Sequence, residues 1–94
     1  MAEDDTIQAV GNIMTEAAAL GDAMLAGDMD EARFLTHRIA VKAARARLVR
    51  VAFAAEQLTV ALGPVGARPE TGYGTQLLNL ADAINQAKRS APPL

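Results

Sequence analysis

The chain contains no cysteine, which excludes a disulfide framework, a thiol nucleophile and any thiolate metal site. One histidine, His37, is present, so a multi-histidine metal site is excluded too, and no cofactor is expected of the chain itself. Aromatic residues make up 3% of the sequence against a hydrophobic share of 51%. Much of the apolar content is therefore alanine: helices can approach closely, but few large side chains lock them together. A homodimer would strengthen such a core, and self-association is expected. No apolar run approaches the roughly 18 residues of a membrane span. The start, Met1-Ala2-Glu3-Asp4-Asp5, is acidic where a secretory signal is basic, so a cytoplasmic protein is expected. Charge of one sign is also lacking, since a net charge of −2 gives no footprint for nucleic acid or an anionic membrane.

What is present is helical periodicity. The 94 residues hold one domain. From an N-cap at Asp5 or Thr6, the residues Ile7, Val10, Met14, Ala17, Gly21 and Met24 recur at spacings of three and four, with Ile13 and Leu20 widening the stripe. This predicts a first helix over about 6–26. Gly27 suits a left-handed helix end, and Asp28 with Glu31 three residues on resembles a capping box for the next helix.

Met29 to Leu62 contains neither glycine nor proline. At about 100° per residue, Ala32, Leu35, Ile39, Ala43 and Ala46 share one face, whereas Leu48, Val51, Ala55, Leu58 and Leu62 share another. A corner near Arg45 to Val49, dividing the run into helices 29–46 and 49–62, fits this phase shift; a straight helix buried on two sides would give the same pattern. The glycine- and proline-rich stretch 63–74 is a loop. Thr75 then caps a last helix, 75–89, with Leu77, Leu78, Ala81, Ile84 and Ala87 on its apolar side, and Ser90 to Leu94 should fray. With two short corners and no β-type alternation, the expected fold is all-α, an antiparallel up-down four-helix bundle.

Candidate chemistry is sparse. Glu16, Asp22, Glu56 and Asp82 are expected on polar sides of their helices, which disfavours paired carboxylates for acid–base work. No second copy at a period of about 34 residues supports a helical repeat. The second helix stands out because Arg33, Arg38, Lys42, Arg45, Arg47 and Arg50 surround His37. These cations spread around the wheel rather than forming one stripe, and the stretch Val49–Leu62 is too apolar for a base-reading helix, so protein docking is expected and nucleic acid is not. Phe34, Ala40, Val41, Ala44 and Leu48, bordered by Arg38 and Arg45, form an expected partner-binding strip around His37, opposite the Leu35/Ile39 core face.

Gly27-Asp28 ahead of a helix, Ala32, Leu35 and Thr36-His37 at its entry, and Val51, Ala55 and Leu58 in the next helix resemble a histidine-containing phosphotransfer domain. In that family a four-helix bundle presents one exposed helix histidine that relays a phosphoryl group between response-regulator aspartates. The resemblance spans most of the chain; the family's His-x-Leu-Lys-Gly pattern reads His37-Arg38-Ile39-Ala40-Val41 here. It implies His37 as phosphoacceptor, with Arg33, Arg38 and Lys42 stabilising the phosphoryl charge and the partner receiver domain bringing Mg²⁺. The chain would then be a signalling module that relays phosphate or docks through the His37 face, a phosphoryl carrier at most and not an independent enzyme. The alternative is a non-catalytic helical adaptor or dimerising scaffold that binds a partner protein through the Phe34/Val41/Leu48 strip.

Overall fold

The computed structural model describes residues 2–90, with side chains from residue 6 onward. Four helices and no strand occur among them: α1 (Ala2–Leu25), α2 (Met29–Arg45), α3 (Val49–Leu62) and α4 (Tyr73–Ser90). Each helix packs on its neighbours in the chain, and α4 closes the ring on α1 through the thinnest of the four contacts. Among the described residues the diagonal pairs make no close backbone approach. Three-residue turns reverse the chain after α1 and after α2, so the molecule is an all-α four-helix bundle measuring 41 × 18 × 18 Å.

The two tight corners share one hydrogen-bond pattern. After α1, Gly27 N–H donates to Met24 O (3.1 Å) and Asp28 N–H to Ala23 O (2.9 Å). After α2, Arg47 N–H donates to Ala44 O (3.1 Å) and Leu48 N–H to Ala43 O (2.8 Å). This pairing needs a left-handed residue just past the helix. Glycine fills that position at Gly27 (φ 74°), but at the second corner Arg47 is forced to φ 60°. The phase shift between 45 and 49 is thus a true corner, made without glycine.

Helix starts are less uniform. Asp28 accepts from Glu31 N–H (3.1 Å), while its own N–H goes to Ala23 O, so only half of the expected capping box forms. At α3 the cap position is Leu48, which has no side-chain acceptor to offer. α1 begins at Ala2, upstream of the caps expected at Asp5 or Thr6, because nothing between residues 2 and 10 breaks a helix. α4 begins at Tyr73, so Thr75 lies inside its first turn, where Thr75 N–H donates to Gly72 O (2.9 Å). Ser90 ends α4, and the expected fraying of 91–94 falls outside the described residues.

The core is made of Ile13, Leu20, Leu35, Ile39, Val51, Leu58, Leu62, Leu80 and Ile84, with Ala32, Ala43, Ala54 and Ala55 where helices approach closely. In α1 the buried line runs Val10, Ile13, Glu16, Leu20 and Ala23. Ile13 and Leu20 are therefore its centre, whereas Met14, Ala17 and Met24 are only half-buried against it. Tyr73 also packs part-buried against the core, and Thr36, fully buried, returns its hydroxyl proton to Ala32 O (2.7 Å).

The two corners should respond to substitution with opposite signs. Arg47→Gly removes a left-handed penalty of about 1–2 kcal/mol against a glycine entropy cost of about 0.5–1 kcal/mol, a net gain of about 0.5–1 kcal/mol. Gly27→Ala incurs that penalty and should cost about 1 kcal/mol. Urea denaturation of the two variants at equal slope measures both.

Candidate docking face around His37

The outward sides of α2 and α3 follow from what each helix buries. α2 buries Ala32, Leu35, Thr36, Ile39 and Ala43, which leaves Phe34, His37, Val41 and Ala44, at spacings of three, four and three, on the opposite side. α3 buries Val51, Ala54, Ala55, Leu58, Ala61 and Leu62, which leaves Val49, Phe53, Glu56 and Val60 facing away. Between these helices runs a groove of about 460 Å³ lined by His37, Ala40, Val41, Ala44, Glu56, Thr59 and Val60. His37 is exposed there, as its place opposite Leu35 and Ile39 requires. Both phenylalanines of the chain lie outside the core on the outward sides of these helices, Phe34 at 53% and Phe53 at 61% exposure.

The strip expected from α2 alone is divided by the structure. Ala40, Val41 and Ala44 line the groove with His37, and Phe34 stays exposed beside them with the Arg38 guanidinium 5.5 Å from its ring centre. Arg45 instead lies over the α1 side with Ala9, Asn12 and Lys42. Leu48 falls beyond the end of α2 and caps α3, half-buried against the core. It lines a separate hollow with Arg47, Arg50, Ala83 and Gln86, where Arg50 donates to Gln86 Oε1 (2.8 Å). The corner explains both departures: a wheel drawn past Arg45 extrapolates a helix that has already ended. Val49, Phe53, Glu56 and Val60 were missed, although the α3 core positions named from sequence already define the face opposite them.

The three cations expected to stabilise a phosphoryl group are held elsewhere. Arg33, whose side chain is 10% exposed, clamps the end of α3: its Nε donates to Gly63 O (3.0 Å) and its Nη2 to Leu62 O (3.0 Å) and Ala67 O (2.6 Å). Nη1 pairs with Asp30 (3.0 Å). A guanidinium suits this place because the last carbonyls of a helix lack partners and carry the negative end of its dipole. The clamp also pins the 63–72 loop, which Glu70 N–H ties to Ala61 O (2.7 Å). At Gly63 (φ 74°) an added Cβ would sit 3.3 Å from the Ala67 Cβ, so backbone and space both call for glycine.

Arg38 and Lys42 turn towards α1. Arg38 Nε lies 2.7 Å and Lys42 Nζ 2.9 Å from the same oxygen, Oε1 of Glu16. Glu16 itself is buried at 8% exposure, contrary to its expected place on a polar side, and its Oε2 has no hydrogen-bond partner among the described residues. The reason is position: residue 16 falls on the line that faces α2, where two cations receive it. Asp22, Glu56 and Asp82 are exposed as expected. The charge that remains by the groove is Glu56, whose carboxylate makes no hydrogen bond or ion pair with the described residues. Among those residues no three His, Asp or Glu side chains gather as a metal site, and no helix is long and apolar enough to cross a membrane.

Two substitutions test this distribution of charge. Arg33→Ala removes three charge-assisted bonds to carbonyls and should cost about 2–3 kcal/mol, with faster amide exchange at residues 63–67. Arg33→Lys should not restore stability, because an ammonium cannot span the fork. At Glu16 the sign reverses: Arg38→Ala with Lys42→Ala strands a buried carboxylate and should cost about 3 kcal/mol. Glu16→Leu leaves two cations that reach water and should change stability by less than about 1 kcal/mol.

Compared with protein-family models, curated proteins and solved structures, the chain matches none of them.

Proposed function

We propose that the protein is a signalling module that docks the receiver domain of a response regulator through the His37 face of α2 and α3. The reading rests on one observation: the chain's single histidine is exposed in an apolar groove between two helices of a four-helix bundle. The resemblance to the histidine-containing phosphotransfer family adds to it. Such a module works in the cytoplasm and has no enzymatic activity of its own.

Docking is favoured over phosphoryl relay on electrostatic grounds. A phosphoryl group on an imidazole needs nearby positive charge. Arg33 is engaged by carbonyls of the α3 end and the following loop, Arg38 and Lys42 by Glu16, and the free charge in the groove is the carboxylate of Glu56. Val41, one turn beyond His37, adds β-branched bulk beside the ring. What is left is shape and apolar surface: a shallow floor of Ala40 and Ala44 between Val41 and Val60, suited to a weak, reversible contact.

Receiver domains from the same genome, phosphorylated chemically with Mg²⁺ present and titrated against the chain, test the proposal. At least one should bind with a Kd of about 1–100 μM. Val41→Asp should weaken that binding at least about 10-fold by placing a charge in an apolar contact, while His37→Gln changes it less than about 3-fold. No label should reach the chain. Label on the wild type that disappears in His37→Gln would replace docking by relay, and failure of every receiver to bind would leave the adaptor reading, with a different protein on the same face.

A further inference from the structure

We infer that the hollow between the α2–α3 corner and the last turns of α4 binds a small phosphate monoester with an aliphatic body. The site is separate from the His37 groove and does not rest on the docking proposed above. Its volume, about 460 Å³, is that of a small-molecule site. Arg47, Arg50, Gln86 and Ser90 form its polar side, and Leu48 and Val51 belong to its apolar side.

The polar side chains offer donors and lack a carboxylate. Gln86 Oε1 already accepts from Arg50 Nη1 (2.8 Å), so Gln86 presents the N–H groups of its amide. The same bond steadies Arg50 against α4 and leaves its other N–H groups for a ligand. Arg47 makes no hydrogen bond or ion pair with the described residues, and neither guanidinium meets a carboxylate among them. Arg38 and Lys42 differ, because Glu16 unites those two cations. Arg47 and Arg50, three residues apart, repel each other until an anion from outside joins them.

The corner supplies a further argument. Arg47 is the non-glycine residue with a positive φ (60°) among the described residues, at the position that Gly27 fills in the matching corner. Strained residues of this kind gather at ligand-binding sites, where the side chain is needed.

Charge and shape select the ligand. Two guanidinium groups match a phosphate monoester, which carries about −1.5 to −2 at neutral pH, whereas a carboxylate balances one of them. A bare phosphate leaves Leu48 and Val51 uncovered. No aromatic side chain lines the hollow, so a nucleobase finds nothing to stack on. An aliphatic substituent on the phosphate fits both sides.

Proton–nitrogen correlation spectra of the full chain, titrated with n-butyl phosphate at about 20 mM NaCl where charges are little screened, test the site. Backbone amides of 47–51 and 83–90 should shift with a Kd of about 0.1–2 mM, and inorganic phosphate and butyrate should bind at least about 5-fold more weakly. Arg50→Gln should weaken ester binding at least about 10-fold. Arg47→Gly should do the same while gaining stability, as derived above for the corner, so that lost binding is not lost fold. Arg68→Gln lies in the loop beyond the opposite end of α3, about 21 Å along that helix, and should leave the Kd within about 2-fold.

Phosphatidylcholine vesicles containing phosphatidic acid offer the same headgroup on a surface, and the chain should not sediment with them. Absence of shifts up to about 20 mM n-butyl phosphate would overturn the inference, as would an affinity that Arg47→Gly leaves unchanged. Inorganic phosphate or butyrate binding as tightly as the ester would overturn it too. Sedimentation with the vesicles without an effect of the soluble ester would make this surface a membrane contact instead.

Discussion

The fate of the α2 cations organises much of this molecule. Arg33, Arg38 and Lys42 leave one helix in two directions, Arg33 to the exposed carbonyls at the end of α3 and the other two to a carboxylate on α1. Each arrangement joins α2 to a neighbour by charge as well as by packing. The Arg33 clamp adds stability to a core with few large side chains, in which alanines at the helix crossings provide closeness but little bulk. The two arrangements also leave the lining of the α2–α3 groove without a cation. A cluster that reads as one basic region around His37 is, in three dimensions, two structural anchors with an apolar groove between them.

The Glu16 node illustrates how such an anchor works and what it costs. One oxygen of the carboxylate receives two cations, and the other is buried with no hydrogen-bond donor among the described residues. Burying a charge is unfavourable unless it is paired, so the node contributes more to fixing the register of α1 against α2 than to net stability. The Arg33 clamp differs. It satisfies carbonyls that would otherwise face a helix end without donors, and it fastens a ten-residue connection, 63–72, that glycine and proline alone would leave loose.

Much of the architecture was legible because it depends on local signals. Gly27-Asp28 marks a corner by backbone chemistry, and the change of apolar phase between Ala46 and Leu48 marks a second, which the structure makes with Arg47 in a left-handed conformation. Exposure of His37 followed from the wheel, since Leu35 and Ile39 commit the other side of α2 to the core. What could not be read is tertiary. Nothing local says that the carbonyls of a loop thirty residues away come within reach of Arg33, or that Glu16 meets two cations on another helix. The positions of Arg45 and Leu48 were misplaced for a different reason, a helical period carried past the end of its helix. The face of α3 bearing Phe53 and Val60 was available from the same pattern that located Leu58 and Leu62.

Function in this account follows from the surface that remains once the charges are placed. An apolar groove with a single imidazole, whose free charge is the carboxylate of Glu56, supports contact between proteins more readily than stabilisation of a transferred phosphoryl group. Proton–nitrogen correlation spectra of the arginine side chains test that claim most directly. The Arg33 Nε–H signal should exchange slowly with water at neutral pH, and neither it nor the signal of Arg38 should move when inorganic phosphate or phosphoramidate is added. Rapid exchange at Arg33, together with shifts of both signals on adding the phosphate probes, would mean that these guanidinium groups are free to serve His37, and would contradict it.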